Sequence, residues 1–172
     1  NRTVTEDFRT IRLALQSALA DLRAILRGLQ LPEIEKFSVA ETLQRAVDDH
    51  QRKTGVVAPL AFDNAPEEAP LPVRITLFRV LQESLANGFR HGGGCNQRVA
   101  VAGSVGNIRV EVSDNGKGFD PNALKADGHF GLDWMRERVE LMGGSFDVDS
   151  AVGQGTVVRV SMPLSQLEHT DD

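Results

Sequence analysis

Apolar residues recur at Phe8, Ile11, Leu15, Ala18, Leu22, Ile25 and Leu29, with spacings that alternate three and four. On an α-helix this heptad seam gathers the side chains into one stripe. Leu19 and Leu26 widen the stripe toward the face a helical bundle needs. Thr5 is a candidate cap, Gly28 loosens the last turn, and Leu31-Pro32 closes the element. The pattern predicts one long helix over 1–31, and its broad apolar face needs a partner. That partner is either the chain that follows or an intermolecular bundle. The regularity of the seam favours the bundle.

After Pro32 the pattern changes to shorter elements. Ser38-Val39-Ala40-Glu41 fits a capping box. The helix it opens runs to about Lys53, with Val39, Leu43, Ala46 and Val47 inward, and Gly55 breaks it. Val56–Phe62 is a strand candidate, and Asp63–Pro70 reads as an exposed connection. Pro72 suits the first turn of a helix on which Leu77, Phe78, Leu81, Leu85 and Phe89 trace a buried face to about Arg90. Gly92-Gly93-Gly94 ends that helix.

Arg98–Ala102 and Asn107–Ser113 predict two strands joined by a turn around Gly103–Gly106. Ile108, Val110 and Val112 alternate with Arg109 and Glu111, so one face is core and the other polar. A further helix is expected over Leu132–Met142, ending at Gly143-Gly144. Ser145–Ser150 and Thr156–Met162 predict a last hairpin around Gly153 and Gly155, which Pro163 leaves. Helices followed by hairpin-linked strands imply an α/β two-layer sandwich. Its helices lie on one face of a mixed sheet, and the long N-terminal helix precedes it.

Bulk properties change little in this picture. The 172 residues suffice for one core plus a helical appendage. A formal charge of -5 argues against a broad nucleic-acid surface, although local donors can still hold an anionic ligand. The single cysteine, Cys95, excludes an intrachain disulfide and any multi-cysteine metal site. No apolar run approaches membrane-spanning length and no signal-peptide pattern opens the chain, so this stretch is expected to be cytoplasmic. The chain begins at Asn1 rather than Met, and a parent protein with a membrane anchor is compatible with that.

Four segments carry candidate chemistry. Glu83, Asn87, Arg90 and His91 stand at i, i+4, i+7 and i+8, opposite the Leu77/Leu81/Leu85 stripe. A carboxylate and an amide one turn apart can orient water and hold Mg²⁺, while Arg90 and His91 can meet phosphate oxygens. The plain alternative is a solvated face with cations near a helix C-terminus. Asp114-Asn115-Gly116-Lys117-Gly118-Phe119 sets a carboxylate beside a pliable backbone. It can accept from an adenine amino group, or simply close an Asx-turn. Gly128-His129-Phe130-Gly131-Leu132 precedes a helix whose N–H groups can receive phosphate, or is an ordinary connector. Gly153-Gln154-Gly155-Thr156 opens a strand; it is a hairpin turn, or it brings the Thr156 hydroxyl toward Asp114. Neither a P-loop nor a dinucleotide fingerprint occurs.

The ordered set ESLAN…RH, DNGKGF, GHFGLDWMRERV and GGSFDVDSAVGQGT resembles the ATP-binding domain of two-component sensor histidine kinases. That domain belongs to a wider superfamily, with the Bergerat fold, that includes gyrase, Hsp90 and MutL ATPases. Gln82–His91 and Met135–Gly144 are similar to the signatures of the subfamily with a HisKA_3-type dimerisation domain. The resemblance covers 32–172 as the catalytic domain, and 1–31 looks like the second helix of the dimerisation bundle.

The resemblance implies roles. Asn87 would coordinate magnesium and Glu83 would orient or polarise a water. Arg90 and His91 would approach phosphate. Asp114 would bind adenine in a loop shaped by Gly116, Lys117 and Gly118, with Gly155 and Thr156 in support. Gly128, His129, Phe130, Gly131 and Leu132 would form a short second glycine box, and the residues between Lys117 and Phe130 an ATP lid. Two positions depart from the pattern: Gly88 replaces the usual Ala, and Phe130 interrupts the commoner Gly-His-Gly-Leu run. No His-Asp pair, the family's phosphoacceptor, occurs among the four histidines.

The chain therefore resembles a kinase cut off just after its phosphoacceptor helix. It is expected to bind ATP and Mg²⁺ and to donate the γ-phosphate to a histidine it does not itself carry. A homodimer through the N-terminal bundle and a response regulator are the implied partners. An ATP hydrolase of the wider superfamily and a noncatalytic dimerisation or regulatory module are the alternatives.

Overall fold

The computed structural model describes residues 34–120 and 130–165. The expected helix over 1–31, its seam and the 31/32 boundary lie outside the described residues. After a short 3-10 turn at Ile34–Lys36, helix α1 spans Val39–Thr54. The capping box forms: Ser38 Oγ accepts from the Glu41 amide at 3.2 Å, and Glu41 accepts from the Ser38 amide at 2.8 Å. The Ser38 backbone and hydroxyl bonds hold the Glu41 carboxyl below its usual range. Gly55, at φ 74, ends α1 by donating its N–H to the Gln51 carbonyl.

Strand β1 is Leu60–Asp63, shorter than the expected Val56–Phe62. Pro59 stands just before it, and among the described residues β1 is an edge strand that pairs only with β2. Helix α2 spans Leu71–Gly92 with Pro in its first turn. Leu77, Phe78, Leu81 and Leu85 are at most 1% exposed, as their spacing requires. Each buried side chain of this size contributes about 1.5–3 kcal/mol. Phe89, expected on the same face, is 38% exposed instead. It meets the His50 ring edge-on at 6.3 Å in the last turn, before the helix ends in the αL cap at Gly93.

Strands β2 (Arg98–Ser104), β3 (Asn107–Asp114), β4 (Ser145–Ser150) and β5 (Thr156–Pro163) complete a five-stranded sheet of order β1-β2-β3-β5-β4. Only β1 and β2 run parallel, so the sheet is mixed. β2 reaches Ser104, which narrows the expected Gly103–Gly106 turn to Val105-Gly106. Pro163, expected to leave the sheet, is the last residue of β5, opposite Asn107. Val99, Val101, Ile108, Val110, Val112, Val158, Val160 and Met162 alternate as the buried face. The intervening Arg98, Arg109 and Arg159 are exposed, and Arg159 pairs with Glu111 at 3.0 Å.

Helix α3 spans Phe130–Glu140, two residues earlier at each end than expected. Its C-terminus is drawn in by bonds from the Gly143 and Gly144 amides to the Glu140 and Val139 carbonyls. Met135 and Val139 are fully buried. The architecture is the expected α/β sandwich of helices on a mixed sheet. Among the described residues no helix is long and apolar enough to cross a membrane.

Candidate functional site

The last three turns of α2 form the spine of the site. Asp114 ends β3 directly opposite Thr156, the first residue of β5. The adjacency that the sequence left conditional is therefore met, although the Thr156 hydroxyl lies 3.1 Å from Ser150 Oγ. Ser150 Oγ also donates to the Gly155 carbonyl at 2.8 Å and accepts from the Phe119 amide at 3.0 Å. One hydroxyl thus ties the DNGKGF turn to the GQGT turn.

Asp114 closes the Asx-turn: its Oδ1 accepts from the Gly116 amide at 2.8 Å. That bond engages only one oxygen. The other, Oδ2, lies 3.2 Å from where a β-carbon on Gly88 would stand, so it faces α2. The two readings of the turn are compatible, because the bond that orients the carboxylate leaves a second acceptor atom. A β-carbon on Gly116 would lie 2.4 Å from the Gly92 Cα, and one on Gly155 would lie 2.0 Å from the Asp114 carbonyl oxygen. Backbone therefore packs on backbone around this carboxylate. Gly118, at φ 57, continues the same close packing against Ala151 and Gly155.

The second cluster lies on the same helix. Glu83 and Arg90 form an ion pair at 3.4 Å, with side chains 29% and 53% exposed. Asn87 is half-buried between them. A β-carbon on Gly131, in the first turn of α3, would lie 3.2 Å from Glu83 Oε1 and 3.8 Å from Asn87 Nδ2. The N-terminal turn of α3 thus stands over the carboxylate–amide pair. A helix start offers unpaired N–H groups and a partial positive charge.

Glu83, Asn87, Arg90 and Gly131 are thus brought together, as are Asp114, Gly116, Gly118, Gly155 and Thr156. His91 and Lys117 are exposed, and Leu132 is half-buried in α3. Gly128, His129 and all of the expected lid between Lys117 and Phe130 except Gly118, Phe119 and Asp120 lie outside the described residues. Phe130 and Gly131 belong to α3 itself rather than to a loop before it, because the helix begins two residues early. Ser150 and Gln97 carry no sequence signal that marks them for the site. Ser150 is an ordinary strand-end serine, and Gln97 follows a glycine-rich break with nothing to mark it as 1% exposed.

A groove of about 1000 Å³ lined by Phe37, Arg45, Asp48 and Phe62, among others, shares no residue with these clusters. Its walls offer no glycine-rich backbone and no α3 start, so the site is assigned by chemistry rather than by cavity size. Among the described residues no three His, Cys, Asp or Glu side chains gather to hold a metal. The donors on hand are the Asn87 amide oxygen and the Glu83 carboxylate. That hard, sparse set fits a magnesium ion that keeps waters and takes its other oxygens from phosphate.

Over residues 73–166 the chain matches the family described as "Histidine kinase-, DNA gyrase B-, and HSP90-like ATPase". The match takes in both clusters and more than half of the chain. The chain belongs to this family. Domains of this ATPase family bind ATP with magnesium, and this one is homologous to those of sensor histidine kinases.

The signal transduction histidine-protein kinase/phosphatase DegS of Brevibacillus brevis is 30% identical over 163 residues, covering 95% of this chain and 42% of that protein. The sensor histidine kinase LiaS of Bacillus subtilis strain 168 is 32% identical over 144 residues, covering 84% and 39%. The chain thus spans about two-fifths of the length of the curated relatives it matches. A solved histidine kinase domain from the blue-light activated histidine kinase of Erythrobacter litoralis shares the fold, at a TM-score of 0.59 and 23% identity, covering 74% of this chain and 61% of that one.

Proposed function

We propose that this domain binds Mg-ATP and presents its γ-phosphate to a histidine of a two-component sensor kinase. The observation that carries the reading is the placement of two unlike clusters on one helix. Asp114 meets the α2 end at Gly88 and Gly92, while Glu83 and Asn87 meet the start of α3. A ligand with an amino-bearing base at one end and phosphates at the other matches that polarity.

In this reading Asp114 Oδ2 accepts from the adenine amino group, and Gly116 holds the carboxylate in place through Oδ1. Gly118, Gly155 and Thr156 shape that end, with Lys117 at its rim. Asn87 is the magnesium ligand, and Glu83 orients a water beside it. Arg90 and His91 approach the phosphates. Gly128, His129, Phe130, Gly131 and Leu132 receive them at the start of α3, where backbone N–H groups need partners. Bound magnesium would neutralise charge on the phosphate oxygens. The protein's own part is positioning and charge complementarity, which is most of what phosphoryl transfer asks.

Residues 1–31 are read as the second helix of a HisKA_3-type bundle, and 32–172 as the catalytic domain. The seam supports a homodimer in the parent protein, and a response regulator is the onward acceptor. The acceptor histidine is read as lying outside this sequence, since none of its four histidines stands in a His-Asp pair.

Calorimetry with a non-hydrolysable ATP analogue tests binding: wild type is expected to bind only with magnesium, and Asn87→Ala to lose that dependence. With γ-labelled ATP the chain alone should stay unlabelled, while a helix carrying the acceptor histidine, added in trans, should gain acid-labile phosphate. Release of free phosphate without label on that helix would favour an ATP hydrolase instead. No adenine nucleotide binding at all would leave a noncatalytic module.

A further inference from the structure

Gly88 stands where the resemblance leads one to expect Ala, and the structure supplies a cause. A β-carbon there would lie 2.5 Å from the Gln97 side-chain nitrogen and 3.2 Å from Asp114 Oδ2. Gln97 and Asp114 therefore face each other across the bare Cα of Gly88. Gln97 is 1% exposed, and both polar atoms of its carboxamide have a partner. Its Nε2 donates to the Leu85 carbonyl at 2.7 Å, and its Oε1 lies 2.7 Å from His50 Nε2. A carbonyl can only accept, so Nε2 must face Leu85 and Oε1 must face His50. His50 Nε2 then carries the proton and donates. His50 is itself 6% exposed on α1, and Thr54 Oγ1 donates to its carbonyl at 2.8 Å.

The same segment is fastened to the Asp114 turn. Arg98 pairs with Ser113, and the Asn115 amide donates to the Cys95 carbonyl at 2.8 Å. Gln97 thus sits where α1, α2 and the β3 end converge beside the carboxylate. Resting on the nucleotide reading above, we propose that Gln97 is a positioning residue of the base end of the site. Its carboxamide takes the volume that an alanine methyl at position 88 would fill, locks the last turns of α2 to His50, and sets the height of Asp114 Oδ2 above the helix. Gly88 and Gln97 are then a matched pair, each tolerable because of the other.

A double-mutant cycle tests the pair, read by calorimetric titration of a non-hydrolysable ATP analogue with magnesium. Gly88→Ala is expected to weaken binding about tenfold, since overpacking displaces Gln97 toward Asp114. Gln97→Ala removes the support and is expected to cost a similar factor. The double variant should lose clearly less than the product of the two single losses, because the new methyl fills the vacated space although it cannot restore the bonds to Leu85 and His50. Thermal melting without nucleotide is the control. Ala is the better helix former, so Gly88→Ala would raise the melting temperature if Gly88 met nothing.

Single-variant losses that multiply in the double variant would overturn the proposal while leaving the nucleotide reading intact. So would Gly88→Ala binding as wild type does. A lower melting temperature with unchanged affinity in both single variants would reduce Gln97 to a structural role and also overturn it. A wild-type chain that bound no adenine nucleotide would overturn the reading and this inference together.

Discussion

The two ends of the site are built in opposite ways. Around Asp114 the chain is packed backbone to backbone, and the carboxylate is oriented by the Gly116 amide before any ligand arrives. Around Asn87 the groups are side chains, half-buried or exposed, and the Glu83–Arg90 pair is long at 3.4 Å. The lesson concerns where preorganisation is invested. In the proposed reading Asp114 takes a neutral base, which offers few strong contacts, so the carboxylate is held rigidly. Phosphates and a metal supply strong fields of their own and can organise flexible side chains around them.

The largest test of that contrast uses two glycines with nearly the same backbone. Gly155 and Gly153 have φ 77 and 82, but a β-carbon on Gly155 would stand 2.0 Å from the Asp114 carbonyl oxygen, while one on Gly153 meets nothing within 4 Å. Gly155→Ala is expected to cost about 3 kcal/mol or more in urea unfolding, and Gly153→Ala about 1 kcal/mol. Equal costs would mean that strain in φ, rather than close packing, governs this end.

Asp114→Asn comes next. It keeps the shape and the Gly116 bond but removes the charged acceptor, and is expected to weaken ATP-analogue binding by about 2 kcal/mol with little change in melting temperature. A large fall in stability instead would show that the carboxylate serves the fold.

The smallest effect is expected at the open end. Arg90→Ala should move unfolding stability by less than about 0.5 kcal/mol, because Arg90 is exposed and its ion pair to the half-buried Glu83 is long. Its effect should emerge only as weaker affinity for the triphosphate analogue relative to adenosine. A stability loss of about 2 kcal/mol would mean that the open end is as rigidly built as the other.

Much of the fold was legible because its signals are local. The capping box at Ser38, the αL stop at Gly55, the Leu77/Leu81/Leu85 stripe and the alternation at 108–112 each act within a turn or a strand. The departures have local causes too. Val56 and Val57 have strand-like side chains, but pairing begins only after Pro59 and only on one side. Phe89 fits the apolar period, yet it falls in the last turn before the Gly93 cap and stays 38% exposed. Helix α3 starts two residues before its expected position because Gly131 reads as loop and no cap announces the helix.

The site divides in the same manner. The segments and their order sufficed to group Glu83 with Asn87 and Arg90, since all three ride one helix with a fixed period. The sequence also determined the family, because four short motifs in order leave little freedom. It did not reveal why Gly88 is glycine, nor that Gln97 lies beside Asp114 at Gly88 and bonds to His50. Those facts join positions 47 residues apart through one buried bond, and no periodicity records such a distance. Local pattern decided which elements form and which residues share a face. Only the tertiary packing decided which backbone atoms touch, and around Asp114 those contacts leave no room for a β-carbon.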